Sequence, residues 1–452
     1  MTIAAISTPL SVGGISVIRI SGKDAKAVAK KVFRPVGTKD IEKMAGYTCT
    51  LGDVIENDQP IDQALLTVFN APKSYTGEDV VEISCHGGVY ITTKILRIIL
   101  DNGARLAQPG EFTKRAFLNG KLTLTQAESV IDLIHSQGEQ SARLAKNNVD
   151  GVLYREIDDI THKLLGVAAH LNAWVDYPED DVPMLDSGET MSDLKNAYLR
   201  IEKLLQSFEV GKIFHEGVTT AIVGKPNVGK STLMNLRAGW NKSIVTEIAG
   251  TTRDIVEESV NLGKVVLRLS DTAGIRQTDD VVESIGVDMA KKQIERAQLV
   301  LSVFDGSQKL CDDDFSLIDS LDKNIAIAVI NKNDLQSQID EEYISTHFKY
   351  TVKISAKQNL GKDELINSVE NVLGIIDVDT SAPMIVNERQ RACAYRAKTQ
   401  LTEAIDTLEG GYTLDAVTVA LETAIESLLE LTGQRVTNAV VDEVFSRFCV
   451  GK

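Results

Sequence analysis

Apolar and polar residues alternate with two different periods in the first part of the chain. A period of two runs through residues 12–22 and 80–84, which predicts β-strands. Residues 24–33 and 91–100 instead repeat apolar positions every three or four residues, which is the spacing of an α-helix. We therefore predict that residues 1–118 form an N-terminal domain of the α+β class.

The pattern becomes helical after this domain. Residues 125–128 read Thr-Gln-Ala-Glu, which fits a capping box at the start of a helix, and residues 130–134 follow with an apolar face. Two more helical runs cover residues 156–175 and 191–208. Residues 119–215 are thus predicted to form the first part of a helical domain.

Strand-like and helix-like runs then alternate along the chain, as they do in α/β domains. Residues 265–270, 299–305 and 325–330 are mostly apolar and predict buried strands. The alternation extends over residues 216–375, which we predict to be an inserted α/β domain.

The remaining residues, 376–452, return to helical spacing. Thr437 stands where its side chain can cap a last helix. The apolar side chains that follow it fall on one helix face: Val440, Val441, Val444, Phe445 and Phe448. The simplest arrangement is one helical domain interrupted by the α/β domain, so the predicted fold is multidomain, with α+β, helical and α/β parts.

A phosphate-binding segment follows directly after the apolar run 220–223. Residues 224–231 read Gly-Lys-Pro-Asn-Val-Gly-Lys-Ser, the G-x-x-x-x-G-K-S pattern of a P-loop. Its glycines let backbone N–H groups surround phosphate oxygens at the start of a helix. Lys230 can reach the β- and γ-phosphates, and the Ser231 hydroxyl can bind Mg²⁺. The segment predicts a nucleotide site.

Four further segments follow in the order found in guanine-nucleotide sites: Thr-Thr at 251–252, Asp-Thr-Ala-Gly at 271–274, Asn-Lys-Asn-Asp at 331–334 and Ser-Ala-Lys at 355–357. Asp334 can accept two hydrogen bonds from the N1 and N2 edge of guanine, which adenine does not supply. Asn331 and Lys332 would position and cover the base, and Ala356 would offer a backbone N–H to its carbonyl. Each motif alone also occurs in ordinary turns, but together they predict a site for GTP and GDP.

The residue after the Asp-Thr-Ala-Gly segment is Ile275, where many small GTPases have a glutamine that orients the attacking water. An aliphatic side chain cannot orient water, so another group is expected to do so. The candidates are Glu283, Arg253 and Arg276. The alternative interpretation, that these three are ordinary solvent-exposed charges, stays open.

Composition adds three expectations. Hydrophobic residues make up 43% and charged residues 25% of the chain, as in globular proteins, and no apolar run approaches the roughly 18 residues of a membrane span. The five cysteines lack metal-ligand spacing, which favours a reducing, cytoplasmic setting. Because the net charge is −16, binding of RNA requires a local basic patch or a partner.

Several longer segments resemble one known family, the TrmE/MnmE family of tRNA modification GTPases. The final residues read Cys-Val-Gly-Lys, matching the Cys-x-Gly-Lys ending of that family behind a P-loop domain. The other similar segments are residues 2–9, 13–22, 109–121, 124–128, 249–254 and 271–276. Thr123 departs from the family pattern, which usually has Asp at this position next to a helix start.

The resemblance implies a homodimer that works with a flavin-dependent partner, MnmG (GidA). Together they would build a carboxymethylaminomethyl or aminomethyl group on the wobble uridine of certain tRNAs. The N-terminal domain would contribute to dimerisation and bind a tetrahydrofolate, in its 5-formyl or 5,10-methylene form, as the one-carbon source. Membrane association is not expected.

The same resemblance implies four folate-binding residues: Arg19, Glu82, Lys121 and Lys452. A carboxylate such as Glu82 suits the amino edge of a pterin, and cations such as Arg19 and Lys121 suit the glutamate carboxylates. The ordinary alternative is that Arg19 and Glu82 are strand residues that face solvent.

Members of this family also use potassium, which offsets negative charge that develops on the leaving phosphate, as an arginine finger does. The implied K⁺ ligands are Asn227, Thr246, Ile248 and Thr251. The implied Mg²⁺ ligands are Ser231 and Thr252. The expected catalytic residues are Lys230, Thr252, Glu283 and Cys449, of which Cys449 has either a chemical or a positional role.

The complete set of expected GTP-binding residues combines the motifs with the resemblance. It is Asn227, Val228, Gly229, Lys230, Ser231, Thr232, Thr246, Glu247, Ile248, Ala249, Gly250, Thr251, Thr252, Asp271, Thr272, Ala273, Gly274, Asn331, Lys332, Asp334, Ser355, Ala356 and Lys357. Two rival interpretations use the same site: a ribosome-assembly GTPase of the Era-like class, and a GTP-gated scaffold with negligible hydrolysis.

Overall fold

The computed structural model describes residues 1–176, 187–235, 258–269 and 294–452. Its contacts divide the chain into two compact units. The first unit comprises residues 1–131, 149–197 and 396–452, and the second comprises residues 132–148 and 198–395. The division into domains at residues 118, 215 and 375 stays a prediction.

The N-terminal part contains these elements in chain order: β1 Ile3–Ile6, β2 Ile15–Ser21, α1 Ala25–Val32, β3 Phe33–Pro35, a short 3₁₀ helix Ile41–Lys43, β4 Thr48–Glu56, β5 Gln59–Phe69, β6 Val80–His86, α2 Val89–Asp101, β7 Arg105–Leu106 and α3 Glu111–Leu118. The strands form one sheet in the order β3-β4-β5-β6-β2-β1-β7. All neighbours are antiparallel except β1 and β7. The predicted strands and helices of this domain are confirmed.

The core of this domain follows from the alternation along β2 and β6. Ile18 and Ile20 are fully buried on one sheet face, together with Ile83 of β6. They pack against apolar side chains of α1 and α2. Arg19 lies between the two isoleucines and pairs in register with Glu82 of β6, so both side chains point to the opposite face.

The helical segments are α4 Leu124–His135, α5 Glu139–Val149, α6 Val152–Asp176, α7 Ser187–Gln206 and α8 Phe208–Glu216. The predicted capping box at residues 125–128 is wrong, because Thr125 lies inside α4. The box is two residues earlier: the Thr123 N–H donates to Gln126 Oε1 at 3.0 Å, and the Gln126 N–H donates to Thr123 Oγ1 at 3.3 Å. Thr123 therefore caps this helix.

The α/β part contains β8 Val218–Val223, α9 Lys230–Asn235, β9 Glu258–Leu262, β10 Val265–Leu269, β11 Leu299–Asp305, α10 Asp312–Ser320, β12 Ala326–Asn331, α11 Glu341–His347, β13 Tyr350–Lys353 and α12 Lys362–Val372. The sheet order is β13-β12-β11-β8-β10-β9, and only β9 runs antiparallel to its neighbour. Both faces of β11 are buried in apolar clusters. The predicted α/β class of this part is confirmed.

The last elements are α13 Glu388–Glu409, α14 Leu414–Thr432 and α15 Asn438–Ser446. Thr437 caps α15 as predicted, since its side chain accepts from the Val440 N–H at 3.4 Å. Phe445 and Phe448 are buried with Leu124 of α4. Among the helices that the structure describes, none is long and apolar enough to cross a membrane.

Candidate functional sites

The P-loop connects β8 to α9 at the carboxyl edge of the parallel sheet, where open α/β sheets bind ligands. Gly224 and Gly229 have φ angles of 146° and 100°, which favour glycine. A Cβ on Gly229 would overlap the side-chain nitrogen of Asn331, and a Cβ on Gly224 would overlap the carbonyl oxygen of Val303. The loop therefore approaches its neighbours as closely as backbone allows.

Asn331 joins three of the predicted segments. Its Nδ2 donates to the Val228 carbonyl at 2.9 Å, and its Oδ1 accepts from the Ala356 N–H at 3.0 Å. The side chain is 2% exposed, so both hydrogen bonds are shielded from water. The loops after β8, β12 and β13 are thus held together at one edge of the sheet. The Ala356 N–H, which the sequence assigns to guanine, is used here by Asn331.

Asp334 and Ser355 meet beside this bridge. The Ser355 hydroxyl donates to Asp334 Oδ1 at 2.6 Å. This hydrogen bond holds the pKa of Asp334 below its usual value. Asp334 therefore stays ionised at neutral pH and accepts hydrogen bonds, which is the state that recognition of the guanine N1 and N2 edge requires.

Two lysines of the predicted motifs are held by different partners. Lys230 Nζ donates to the carbonyl oxygens of Gly224 and Lys225 at 2.5 and 2.6 Å, and burial lowers the pKa of Lys230. Lys332 forms an ion pair with Asp305 at 2.5 Å. Asp305 ends strand β11 and was not among the predicted site residues. The only signal for it in the sequence is a carboxylate at the end of a buried apolar run.

Lys225 provides a second contact that the motifs do not predict. Its Nζ lies 2.6 Å from Asp314 Oδ2 and 3.2 Å from Cys311 Sγ. The Asp314 side chain is 4% exposed and also accepts from the Cys311 N–H at the start of α10. The loop is therefore fastened to α10 as well as to Asn331.

A second group of predicted residues meets in the N-terminal sheet. Arg19 Nε donates to Glu82 Oε1 at 2.8 Å, and their side chains are 16% and 24% exposed. The Arg19 guanidinium lies 5.4 Å from the ring centre of Tyr75 and 5.6 Å from that of Phe112. Burial raises the pKa of Tyr75, whose hydroxyl hydrogen-bonds with Thr113 at 2.8 Å.

The last four residues of the chain reach this group. The Lys452 carbonyl accepts from the Phe112 N–H at 3.1 Å, and the Gly451 carbonyl accepts from the Ser7 hydroxyl at 3.1 Å. Burial and the positive charge of Arg19 lower the pKa of Lys452, while Glu82 acts in the opposite direction. The structure thus brings Arg19, Glu82 and Lys452 into one electrostatic group.

The other two predicted residues, Lys121 and Cys449, have contacts of their own. Lys121 Nζ donates to the Pro72 carbonyl at 3.2 Å. Cys449 has an exposed side chain, and its carbonyl accepts from the Gly110 N–H at 3.4 Å.

The comparisons with known proteins agree over the whole chain. The family model "MnmE helical domain" matches residues 124–449, and the model "GTP-binding protein TrmE N-terminus" matches residues 2–121. The chain belongs to the MnmE family of tRNA modification GTPases. This membership confirms the predicted resemblance and the predicted enzyme class, GTPase.

Relatives in this family match the full chain. The tRNA modification GTPase MnmE of Thermoanaerobacter sp. (strain X514) is 41% identical over 456 residues, covering 100% of this chain and 99% of the relative. That of Clostridioides difficile (strain 630) is 40% identical over 454 residues, with the same coverage. Among solved structures, Era of Aquifex aeolicus bound to GDP and AlF₄⁻ is 28% identical and covers 40% of this chain and 66% of that one, with a TM-score of 0.27, too low to support a structural argument.

Within the family's GTPase site, the remaining predicted residues divide into two groups. Asn227 is exposed in the P-loop with a φ of 62°, Val228 is buried, and Thr232 and Lys357 are exposed. Ser231 lies in the first turn of α9. The following predictions lie outside the described residues: Thr246, Glu247, Ile248, Ala249, Gly250, Thr251, Thr252, Arg253, Asp271, Thr272, Ala273, Gly274, Ile275, Arg276 and Glu283.

Proposed function

We propose that this protein hydrolyses GTP in the cytoplasm and couples hydrolysis to modification of the wobble uridine of certain tRNAs. It would act as a homodimer with the flavoprotein MnmG and use a tetrahydrofolate as the one-carbon donor. The observation that carries the proposal is the convergence of the P-loop, Asn331 and the Ser-Ala-Lys loop in a chain of this family. The names of the relatives supply the class of RNA.

The described residues suit a guanine nucleotide. The Gly229 backbone leaves no room for a side chain, so N–H groups of the loop are free to approach phosphates closely. Lys230 adds a cation at the same loop, and ionised Asp334 adds the acceptor for guanine. In this arrangement, GTP binding would require Lys230 to exchange its carbonyl partners for phosphate oxygens.

K⁺ stimulation is the part of the proposal that depends on Asn227. This side chain is exposed in the P-loop, as a ligand to an ion beside the phosphates must be. Turnover is expected to rise sharply when Na⁺ is replaced by K⁺, because K⁺ would offset charge on the leaving phosphate. Asn227→Ala should abolish that difference, whereas Asn324→Ala, an exposed asparagine outside the motifs, should keep it. Equal rates of the unchanged protein in both salts would exclude this role.

The folate proposal is supported by the group around Arg19. A tetrahydrofolate has a pterin with an amino edge and a tail with carboxylates, and Glu82, Arg19 and Lys452 provide the matching charges. Tyr75 and Phe112 add aromatic surface beside the guanidinium. The group therefore fits the ligand in chemical type.

Calorimetric titration with 5-formyltetrahydrofolate tests this directly. Saturable binding is expected in the unchanged protein and should be lost in Arg19→Ala and in Glu82→Ala. Arg97→Ala, which removes an 84%-exposed arginine of α2, is the matched control and should bind normally. Absence of binding in the unchanged protein would contradict the one-carbon role and leave the GTPase proposal intact.

The proposed homodimer is supported by exposed apolar residues at one end of the N-terminal sheet. Leu10, Val12, Ile15 and Tyr90 are 58%, 89%, 71% and 73% exposed. Burying such side chains between two copies would remove apolar surface from water. Sedimentation velocity should show a dimer in the unchanged protein and a shift toward monomer in Val12→Glu.

A further inference from the structure

A short part of the N-terminal domain has a charge opposite to that of the whole chain. Residues 23–43 contain seven Lys or Arg and three Asp or Glu, although the chain as a whole has a net charge of −16. They form α1, β3 and the 3₁₀ helix that follows. We call six of the seven cationic side chains, all except Lys23, the basic surface: Lys26, Lys30, Lys31, Arg34, Lys39 and Lys43.

Contacts within this part place several of these cations together. Lys30 lies 3.1 Å from Asp40 and 2.9 Å from Glu42, so the end of α1 is adjacent to the 3₁₀ helix that contains Lys43. Lys26 lies one helical turn before Lys30 on the same face of α1. The basic surface is therefore continuous across these two elements.

Two of the six cations are ion-paired: Arg34 with Asp58 at 3.2 Å, and Lys30 with its two acidic neighbours. In the described part of the chain, the other four form no ion pair: Lys26, Lys31, Lys39 and Lys43. Lys31 donates instead to the Asn102 carbonyl at 3.3 Å. Free lysines of this kind favour a partner that carries repeated negative charge.

A hollow of about 370 Å³ opens within the same surface. Lys30, Arg34 and Lys39 line it together with Asp40. The apolar part of its wall comprises Phe33, Pro35, Ile41 and Ile55. Cations beside an apolar hollow suit a strand of RNA, because phosphates can contact the cations while an unstacked base or sugar covers apolar surface.

We infer that the basic surface binds the sugar–phosphate backbone of the RNA that the protein modifies. The inference rests on the proposed function, which supplies the class of substrate. The rest of the chain repels RNA, but charges further away than about 8 Å are largely screened at physiological ionic strength. A local cluster of unpaired lysines therefore determines whether RNA can contact the protein at close range.

The sheet order places this contact at a distance from the folate group. Strand β3 is at one edge of the sheet, and β2 with Arg19 is four strand positions away, which is about 19 Å. Contacts from lysine to phosphate carry no sequence information, so the surface would hold RNA and leave recognition of the target base to other groups.

The test measures tRNA affinity of the full-length protein, without the flavoprotein, by fluorescence anisotropy over a range of salt concentrations. Lys39→Glu combined with Lys43→Glu should weaken binding about tenfold and reduce the slope of log affinity against log salt by about two, since two phosphate contacts are lost. Lys203→Glu combined with Lys349→Glu is the control. It changes the net charge equally at exposed lysines outside the basic surface and should bind tRNA with much less loss.

The GTP hydrolysis rate without tRNA should be the same in all three proteins, which shows that they are folded. An unrelated RNA of the same length should lose the same factor in affinity, because the contact is to phosphate.

Unchanged tRNA affinity in the Lys39 and Lys43 variant would overturn the inference while the proposed function stands, and would point to an acidic protein as the occupant of the surface. If the unchanged protein bound no tRNA at all, both the inference and the direct tRNA contact in the proposed function would fail.

Discussion

In the α/β sheet, the predicted nucleotide-binding groups that the structure describes lie at or just after the ends of parallel strands, and much of the geometry is made by backbone. In the N-terminal sheet, Arg19 and Glu82 lie within neighbouring antiparallel strands, and the geometry is made by side chains. In the nucleotide site a buried amide, Asn331, links the loops after β8, β12 and β13. The N-terminal group is completed by Lys452, which reaches it only because the last residues of the chain pack against α3.

This difference determines how each site is damaged. A site in which backbone packs closely against its neighbours fails when a Cβ is added, because the neighbouring group can move away only by breaking its own hydrogen bonds. A site made of charged side chains fails when a partner charge or a supporting segment is removed. The following substitutions separate the two kinds of failure.

The largest effect is expected for Gly229→Ala. The new Cβ would overlap Asn331 Nδ2, and the φ of 100° is unfavourable for alanine. Since Asn331 also holds Val228 and Ala356, displacing it disturbs all three loops. GTP affinity, measured with a fluorescent analogue, should fall by about a hundredfold, or roughly 2.7 kcal/mol.

Gly374→Ala is the control for backbone strain. Its φ is 66°, yet a Cβ there meets no atom of the described residues within 4 Å. It should cost about 1 kcal/mol of unfolding free energy and leave GTP affinity unchanged. A similar loss of affinity in both variants would mean that strain, and not the overlap with Asn331, explains the effect.

The next largest effect concerns Glu111, which precedes Phe112 in the first turn of α3. Burial raises the pKa of Glu111, but ion pairs with Arg105 and Arg115 and a hydrogen bond from the Gln108 N–H outweigh burial, and the pKa falls from 4.5 to about 2. A carboxylate whose pKa is lowered by folding stabilises the folded state at pH values above its unfolded pKa. This stabilisation is lost as the pH falls through the folded pKa. Glu111→Gln should therefore lower the unfolding free energy by about 2 kcal/mol at neutral pH.

Urea unfolding at several pH values tests this. The unchanged protein and Glu111→Gln should converge between pH 4.5 and about 2 as the carboxylate takes up its proton. Glu443→Gln removes an exposed ion pair with Arg447 and should change the unfolding free energy by less than about 0.5 kcal/mol at any pH. A difference for Glu111→Gln that did not vary with pH would contradict the assignment to its charge.

Helices and strands could be predicted from the sequence wherever the spacing of apolar residues fits only one kind of element. The strand Leu299–Asp305 was predicted to the residue, because a buried parallel strand is an unbroken apolar run. The capping box was misplaced because residues 123–128 match the pattern in two positions, starting at Thr123 or at Thr125. Only the backbone decides which threonine precedes the first turn.

The nucleotide site and the N-terminal group also differ in how much of each the sequence predicts. The nucleotide motifs are short and local, so Asp334 and Ser355 were predicted to share a site, and the structure places them 2.6 Å apart. The partners Asp305 and Asp314 were missed, because a carboxylate at a strand end or helix start usually serves as a turn or cap. Lys452 was predicted only from the family resemblance, since no local pattern links residues 444 positions apart, as Ser7 and Gly451 are.

The smallest expected effect, and the sharpest test of the side-chain-built site, is Gly451→Ala. Gly451 has a φ of 99°, and a Cβ there would overlap the Ile6 carbonyl oxygen, so the last residues could not pack as they do. Lys452 would then leave Arg19 and Glu82, and affinity for 5-formyltetrahydrofolate should fall about tenfold, or roughly 1.4 kcal/mol, in calorimetry. Gly411→Ala has a φ of 66° with no atom near the new Cβ and should bind folate normally. GTP hydrolysis should be unchanged in both variants, because neither residue contacts the part of the nucleotide loops that the structure describes. If Gly451→Ala retained full folate affinity, Lys452 would have no part in the site, and Arg19 with Glu82 would have to suffice.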